Sequence, residues 1–535
     1  MSRTKRFGSA ALCLVLFVSI ASCFTGCTPE PREEIVITIP YNEYIRNLDT
    51  NYYKQWLEQQ TGLSIKFNIA REPLTADYLR SMFASGYVKS DAFFSMFDGE
   101  DLAANNMIFQ EFGEKGYILP LSEYAERSTY LSAIFDDYTD YDLRSAITSP
   151  DGNMYYMPGF DPSVSERFFQ VLWLNENWLK RLSLTIPQTT DELRDVLYAF
   201  KHGDPNGNGE LDEIPLAGSF DVLSEQSYNF IINAFVYNNP INSRLFVNDG
   251  TVRFAPVTDE WREAMKYLHS LYEDGLLSPL QFAMGNHGLA ALANDPARLL
   301  GGFTSQSVAD VIFAGNPELI RSYVSVAPLI GPDGTRNATV RTPLPRPAGV
   351  ISSNCKNPEA VFKLFDLMLS EEAFLIGRYG EEGEDWVRAG VTDTDFYGNR
   401  ASVRVVNQLR NIVQNKHIGE LGPFFAYPQY ADGVTFVHSE VGWEYVNARA
   451  YRASEPFKPD EYIRTTLFTG AHLTDFGDIR AAIDDYTNEN IKAFITGEKD
   501  PFDDGVWEVY VRGYANMGID RLIGAVQGAY DDTGK

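Results

Sequence analysis

The pattern of apolar and polar positions resolves the chain into elements before any chemistry is considered. Ile35-Val36-Ile37-Thr38-Ile39-Pro40 is a short β-branched run whose length and composition predict a buried strand. Tyr53, Trp56 and Leu57 then recur at helical spacing up to Gln60-Thr61-Gly62, where Gly62 is a natural stop. Leu63 to Phe67 alternates as a second strand, and strand, helix, strand implies a parallel sheet covered by helices. Asp91 to Phe97 reads as another buried strand running into an Asp98-Gly99 turn, and Gly152 to Pro158 as a turn and strand that close a first lobe. Thr189 and Glu192 have capping-box spacing, and Leu193, Val196, Leu197 and Phe200 predict a helix ending at His202-Gly203. Near the end, Val506 to Tyr510 leads to a joint at Gly518, after which Ile519, Leu522, Ile523, Val526 and Tyr530 mark a last helix.

The first 27 residues do not belong to that body. Arg3, Lys5 and Arg6 precede the apolar stretch Phe7 to Ala21, which is too short and too early for an ordinary membrane span and reads as an export signal. Ile20-Ala21-Ser22-Cys23 and Phe24-Thr25-Gly26-Cys27 both resemble a bacterial lipobox, in which the Cys is lipidated and becomes the mature N-terminus. Cys23 fits the usual pattern more strictly. Cys27 is preferred because a polar tether, residues 28–34, follows it directly. A plain cleaved secretory signal with incidental cysteines is the alternative. Beyond the signal there is no apolar run of 18 residues and no internal repeat.

Composition narrows the function. The chain has 535 residues with 44% hydrophobic and 13% aromatic positions, enough for two large lobes with a substantial core. Lys plus Arg number 45 against 73 Asp plus Glu, a formal charge of −28 that argues against a phosphate-backbone binder, so no nucleic acid is expected. Three of the four cysteines fall in the leader, and Cys355 alone cannot build a disulfide framework.

One segment carries chemistry. Asp204, Asn206 and Asn208 stand at positions 1, 3 and 5 of a loop with Gly209 at position 6, and Glu210 at position 7 offers its carbonyl, the arrangement by which short oxygen-bearing side chains surround calcium. An EF-hand would close with Glu at position 12, but that position is Pro215, so Asp212 and Glu213 are expected to close the shell early around a structural calcium. The six histidines show no paired ligand spacing, and there is no Walker loop or G-x-S-x-G elbow. Chance carboxylate pairs are guaranteed among 73 acidic residues, so an anchored glycan-degrading enzyme stays open as an alternative, as does a receptor for a non-sugar solute such as a peptide.

The order of segments resembles the family 1 extracellular solute-binding proteins, lipoprotein receptors of ABC importers for sugars, and within them the alginate-oligosaccharide-binding branch. The resemblance is carried by Val171 to Leu179, Ile186-Pro187, Thr189 to Leu193, Asp204 to Pro215, Leu271 to Leu277, Lys356 to Ala360, Phe494 to Glu498 and Met517 to Asp520. It implies an α/β, periplasmic-binding-protein-like (type II) fold of two lobes with a hinge and a ligand cleft between them. Lobe 1 is expected over 35–158 plus about 330–395, and lobe 2 over 159–329 plus about 396–535, the latter holding the calcium loop. The implied function is non-enzymatic capture of an oligosaccharide by a membrane-anchored monomer facing the extracytoplasmic side, with delivery to ABC permease subunits. By position in the resemblance, Phe303, Trp386, Phe425, Tyr427 and Trp443 are the candidate sugar-stacking rings, while Trp178, Trp261 and Trp507 are assigned to packing. An acidic glycan would want basic residues such as Arg341 and Arg346, which the overall charge does not encourage.

Overall fold

The computed structural model describes residues 32–86, 88–95, 102–138, 142–418, 420–437, 442–464 and 476–532. Cys23, Cys27, the Asp98-Gly99 turn, His438 and His472 lie outside them. Among the described residues the largest sheet has six strands, in the order Phe424–Phe425, Met157–Phe160, Arg346–Ile351, Ala92–Phe94, Glu34–Ile39 and Ser64–Ile69. Glu34–Ile39 pairs in parallel with Ser64–Ile69 and with Ala92–Phe94, as the strand, helix, strand pattern requires. The intervening helix, Tyr52–Thr61, is capped by the buried Asn51 side chain and released by Gly62 at φ 73°. Arg346–Ile351 is inserted antiparallel between Ala92–Phe94 and Met157–Phe160, which makes the sheet mixed and returns the chain from the second lobe into the middle of the first.

The second lobe is built on a three-stranded antiparallel sheet in which Val171–Asn175 lies between Gly302–Ser305 and Tyr323–Val326. All five residues of Val171–Asn175 are buried, and Asn175 caps the helix Glu176–Arg181 by accepting the Trp178 N–H at 3.2 Å. The Thr190–His202 helix forms where its spacing places it: Thr189 Oγ1 accepts the Glu192 N–H at 3.1 Å. Glu192 reaches back to the Gln188 N–H at 2.7 Å rather than to Thr189, so the box closes one residue early. Leu193, Val196, Leu197 and Phe200 join a core with the helices Asp259–Glu273, Gly477–Thr496, Asp504–Met517 and Ile519–Asp532. Gly518, at φ 90°, is the joint between the last two. Trp178, Trp261 and Trp507 sit in that core, as assigned from their helical faces.

The strands Trp386–Arg388, Val403–Val405 and Val434–Phe436 form a small sheet whose cluster includes Phe374 and Tyr379, and Phe424–Phe425 adds to the edge of the six-stranded sheet. Residues 396–437 therefore pack with the first lobe. Ala338 and Val340 pack with the second. Short strands separated by long loops carry little periodicity, so hydrophobic patterning says little about where these segments pack. No helix among the described residues is long and apolar enough to cross a membrane.

Candidate ligand cleft and calcium loop

Between the lobes lies a cleft of about 210 Å³. The second lobe contributes Glu166, Gln306, Asp310, Trp443, Glu444 and Tyr451; the first contributes Arg378, Tyr379, Tyr397, Arg410 and Asp432. That volume is below the roughly 300–1,000 Å³ of small-molecule sites, so an extended cargo requires the lobes to part.

The floor of the cleft on the first-lobe side is an ion-pair network. Arg378, on the helix Glu371–Tyr379, donates through Nη1 to Asp161 Oδ2 at 3.2 Å and to Glu420 Oε1 at 3.0 Å. Burial alone would raise the Glu420 carboxyl, but the guanidiniums of Arg410, Arg378 and Arg346 hold it down at about 2. Arg410 spans the gap: Nη2 lies 3.9 Å from Glu420, Nη1 lies 3.6 Å from Glu444, and the guanidinium sits 5.4 Å from the Trp443 ring centre. Phe396 and Tyr445 also meet across the lobes, edge to face at 5.6 Å.

Two further carboxylates face the opening. The surrounding cleft walls, with Glu166 adding to them, raise the Asp310 carboxyl against the Ser307 N–H and the Arg341 and Arg410 guanidiniums, although the side chain keeps solvent contact. Asp432 accepts the Val164 N–H at 3.0 Å and is likewise pushed up to about 6 by burial, partly offset by that N–H and reinforced by Asp161.

Of the five rings proposed from the sequence, Trp443 lines the cleft. Phe303 is fully buried on its strand, edge to face with Tyr323 at 5.1 Å. Trp386 is buried in the small sheet, with its indole N–H donating to Gly380 O at 3.0 Å. Phe425 packs inside the first lobe against Tyr138 and Phe160, and half-buried Tyr427 donates its hydroxyl to Leu369 O at 2.8 Å. The geometry places these four in packing. Arg341 pairs with Glu166 at 2.5 Å, and Arg346 lies 3.8 Å from Glu420 and over the Phe424 ring. Arg378, Arg410, Asp432, Glu444 and Asp310 went unnoticed in the sequence. Arg378 alone left a trace there: it sits four residues after Phe374 on the buried face of an amphipathic helix, an uncommon place for a charge.

The loop at 204–213 is as compact as its spacing implies. Asp204 accepts the Gly207 N–H at 2.8 Å and the Gly209 N–H at 3.1 Å, Asn206 accepts from Asn208 N–H, and Asn208 accepts from Glu210 N–H. The Asn206 and Asn208 amides donate to Asp212. Gly207, at φ 78°, lies against the Arg181 guanidinium, where a Cβ would come within 2.3 Å. Glu213 is 7% exposed, and no hydrogen bond of ordinary geometry reaches either carboxylate oxygen. Burial raises its pKa, opposed by its own and the Asn206 backbone N–H groups and reinforced by Asp204 and Asp212. A buried carboxylate without a full partner beside two further acids is a donor set that suits a hard cation. No group of three or more His, Cys, Asp or Glu side chains is already drawn together to hold a metal among the described residues, so binding requires Asp212 to exchange its asparagine partners.

Comparison with known proteins agrees with this architecture. The chain is 26% identical over 491 residues, 89% of its length and 86% of the relative's, to the fructooligosaccharide ABC transporter substrate-binding protein FusA of Streptococcus pneumoniae. The structure of that protein with kestose superposes with a TM-score of 0.73 at 22% identity, covering 94% of this chain and 99% of the other, and a second structure of it, with fructo-nystose, is of an EF-hand mutant. The alginate-binding protein AlgQ2, solved without calcium ion, superposes with a TM-score of 0.60 at 20% identity, covering 94% and 98%. These likenesses fix a two-lobed solute-binding fold, and the relatives are binding proteins rather than enzymes. Residues 48–373, well over half of the chain, match the model for bacterial extracellular solute-binding proteins, and the chain belongs to that family.

Proposed function

We propose that this protein captures an oligosaccharide between its lobes and delivers it to an ABC permease. The carrying observation is the cleft itself, in which Trp443, Tyr397 and Tyr451 stand beside carboxylates and guanidiniums contributed by both lobes. Rings of this kind stack on the apolar faces of sugars, and the charged groups suit the hydroxyls around the ring edges. The relation to FusA, whose name gives fructooligosaccharide as its cargo, supports the reading. In this reading the ligand meets the cleft lining, and Phe303, Trp386, Phe425 and Tyr427 would support it from within each lobe.

The signal at 1–27 supports export and a lipid anchor on Cys27, with Cys23 the alternative, leaving a monomeric body tethered by residues 28–34. Asp204, Asn206, Asn208, the Glu210 carbonyl, Asp212 and Glu213 would hold calcium as a structural ion, neutralising a crowded group of acids and pinning the Thr190–His202 helix to the chain that follows. The test is a thermal-shift screen of the mature chain against kestose, nystose and other oligosaccharides, with and without chelator. A sugar at 100 times its dissociation constant adds about 2.7 kcal/mol of stability. A shift with one sugar class, recovered intact, supports capture; breakdown of the sugar, or no shift with any glycan, defeats it.

A further inference from the structure

We infer that the cleft is a charge filter, taking neutral oligosaccharides and turning away uronate- and sialic-acid-bearing ones, an inference that rests on the oligosaccharide reading above. Four carboxylates line the opening, those of Glu166, Asp310, Asp432 and Glu444, against two guanidiniums, Arg378 and Arg410. Both guanidiniums are already engaged. Arg378 is held by Asp161 and Glu420, and Arg410 by Glu444 and Glu420. The two arginines that the sequence offered for an acidic sugar are engaged as well, Arg341 by Glu166 and Arg346 by Glu420.

Asp310 and Asp432 differ from the other acids. Each accepts a backbone N–H, from Ser307 and Val164, and neither lies within ion-pair distance of a cation among the described residues. Both line the cleft, and a carboxylate has acceptor capacity beyond one backbone N–H, which suits the O–H donors of a neutral sugar. A carboxylate brought to the same place meets like charge, and both guanidiniums that line the cleft are already paired; Arg167, whose charge is felt at Asp432, lies outside that lining. Binding an acidic sugar through Arg378 would first require breaking a buried ion pair, leaving Asp161 or Glu420 unpaired. Specificity of this kind is built from repulsion as much as attraction.

The experiment is calorimetric titration of the mature chain with neutral probes (kestose, nystose, lacto-N-tetraose) and anionic ones (sialyl-lacto-N-tetraose, trigalacturonate, trimannuronate). The best neutral probe is expected to bind at least about tenfold more tightly than any anionic one, the scale of a like-charge penalty. Asp310→Asn and Asp432→Asn, which keep the side-chain shape, are expected to narrow that ratio. Raising ionic strength from about 0.01 M to about 1 M, where the Debye length falls from about 30 Å to about 3 Å, is expected to narrow it in the unaltered protein without any substitution. An anionic probe that binds as tightly as the neutral ones overturns the filter while leaving oligosaccharide capture intact. A ratio that neither substitution nor salt changes also overturns it. Failure of every glycan to bind overturns the capture reading and the filter with it.

Discussion

The loop at 204–213, the candidate calcium site, and the cleft are both built from acidic and polar side chains, yet they are assembled in opposite ways. The loop draws on ten consecutive residues, and its order is local: Asp204 and Asn208 arrange the backbone N–H groups two to five residues ahead of them. The cleft draws on Glu166, Asp310, Arg378, Arg410, Asp432 and Glu444, which meet only after the chain has crossed between the lobes. The loop's own charged side chains are all acidic, with the Arg181 guanidinium against Gly207 beside them, a balance to which a bound cation would add. In the cleft the first-lobe charges complete each other, so the network stands without cargo. One region is thus expected to depend on an ion for its stability and the other to carry its stability within itself, and substitutions can separate the two.

The largest effect is expected from Arg378→Ala. It removes the guanidinium that holds both Asp161 and Glu420, and breaking a buried pair by deleting one partner costs about 3–5 kcal/mol. Chemical denaturation without sugar reads this directly. Arg378→Lys should recover only part, because one ammonium cannot reproduce the planar fork. A loss below about 1 kcal/mol would place the network among weak surface pairs and remove the contrast with the loop.

Next in size is the loop. Calcium at 100 times its dissociation constant contributes about 2.7 kcal/mol, and chelator should lower the melting temperature accordingly. Asp204→Ala together with Asp212→Ala should abolish both the bound metal and the response to chelator. If calcium content and melting temperature are unchanged in the double variant, the loop is a polar turn and the two regions are alike in needing no ion.

Third is Trp443, which lines the cleft yet is 7% exposed and belongs to the second-lobe core: Trp443→Phe, which keeps a ring in that core, is expected to weaken binding of the best sugar by about tenfold or more with a smaller loss of apo stability than Arg378→Ala. The other four candidate rings should show the reverse pattern. Phe303→Ala empties a fully buried site and is expected to cost about 3–5 kcal/mol of stability, read by the same denaturation.

The contrast also explains what the sequence disclosed. Thr190–His202 and Ile519–Asp532 were legible because one periodicity repeats within each, bounded by a cap or a glycine joint; other long helices such as Gly477–Thr496 were not read. The compact turn at 204–213 was legible because it is written as a spacing of Asp, Asn and Gly. The cleft was not, since an Arg at 378 and a Glu at 420 carry no mark of standing 3.0 Å apart. Aromatic rings misled for a related reason: a ring that stacks on sugar and one that fills a core look alike in one dimension, so Phe303 and Trp443 could be told apart only by what lies over them. Short strands such as Trp386–Arg388 and Phe424–Phe425 left no mark in the sequence, because their pairing is owed to distant partners.

The smallest effect is in pH dependence, and its sign distinguishes cleft from core. Asp432 has its carboxyl raised to about 6, above the ordinary value near 3.8, so the folded protein takes up a proton before the unfolded chain does. Acidification from pH 7 toward 4 then favours the folded state through this group. His417, buried in the first lobe, is pushed down to about 4 from 6.5, so over the same interval the unfolded chain takes up the proton first and the folded state loses stability. The two contributions oppose, leaving a shallow net slope from this pair in the unaltered protein. Asp432→Asn removes the gain and should make melting temperature fall more steeply between pH 7 and 5, whereas His417→Gln removes the loss and should flatten or reverse the fall. The same slope in both variants would mean that neither group titrates as its surroundings require. With bound sugar donating hydroxyls to Asp432, the charged form is favoured, and the gain on acidification should shrink in the complex while the His417 contribution stays as it was.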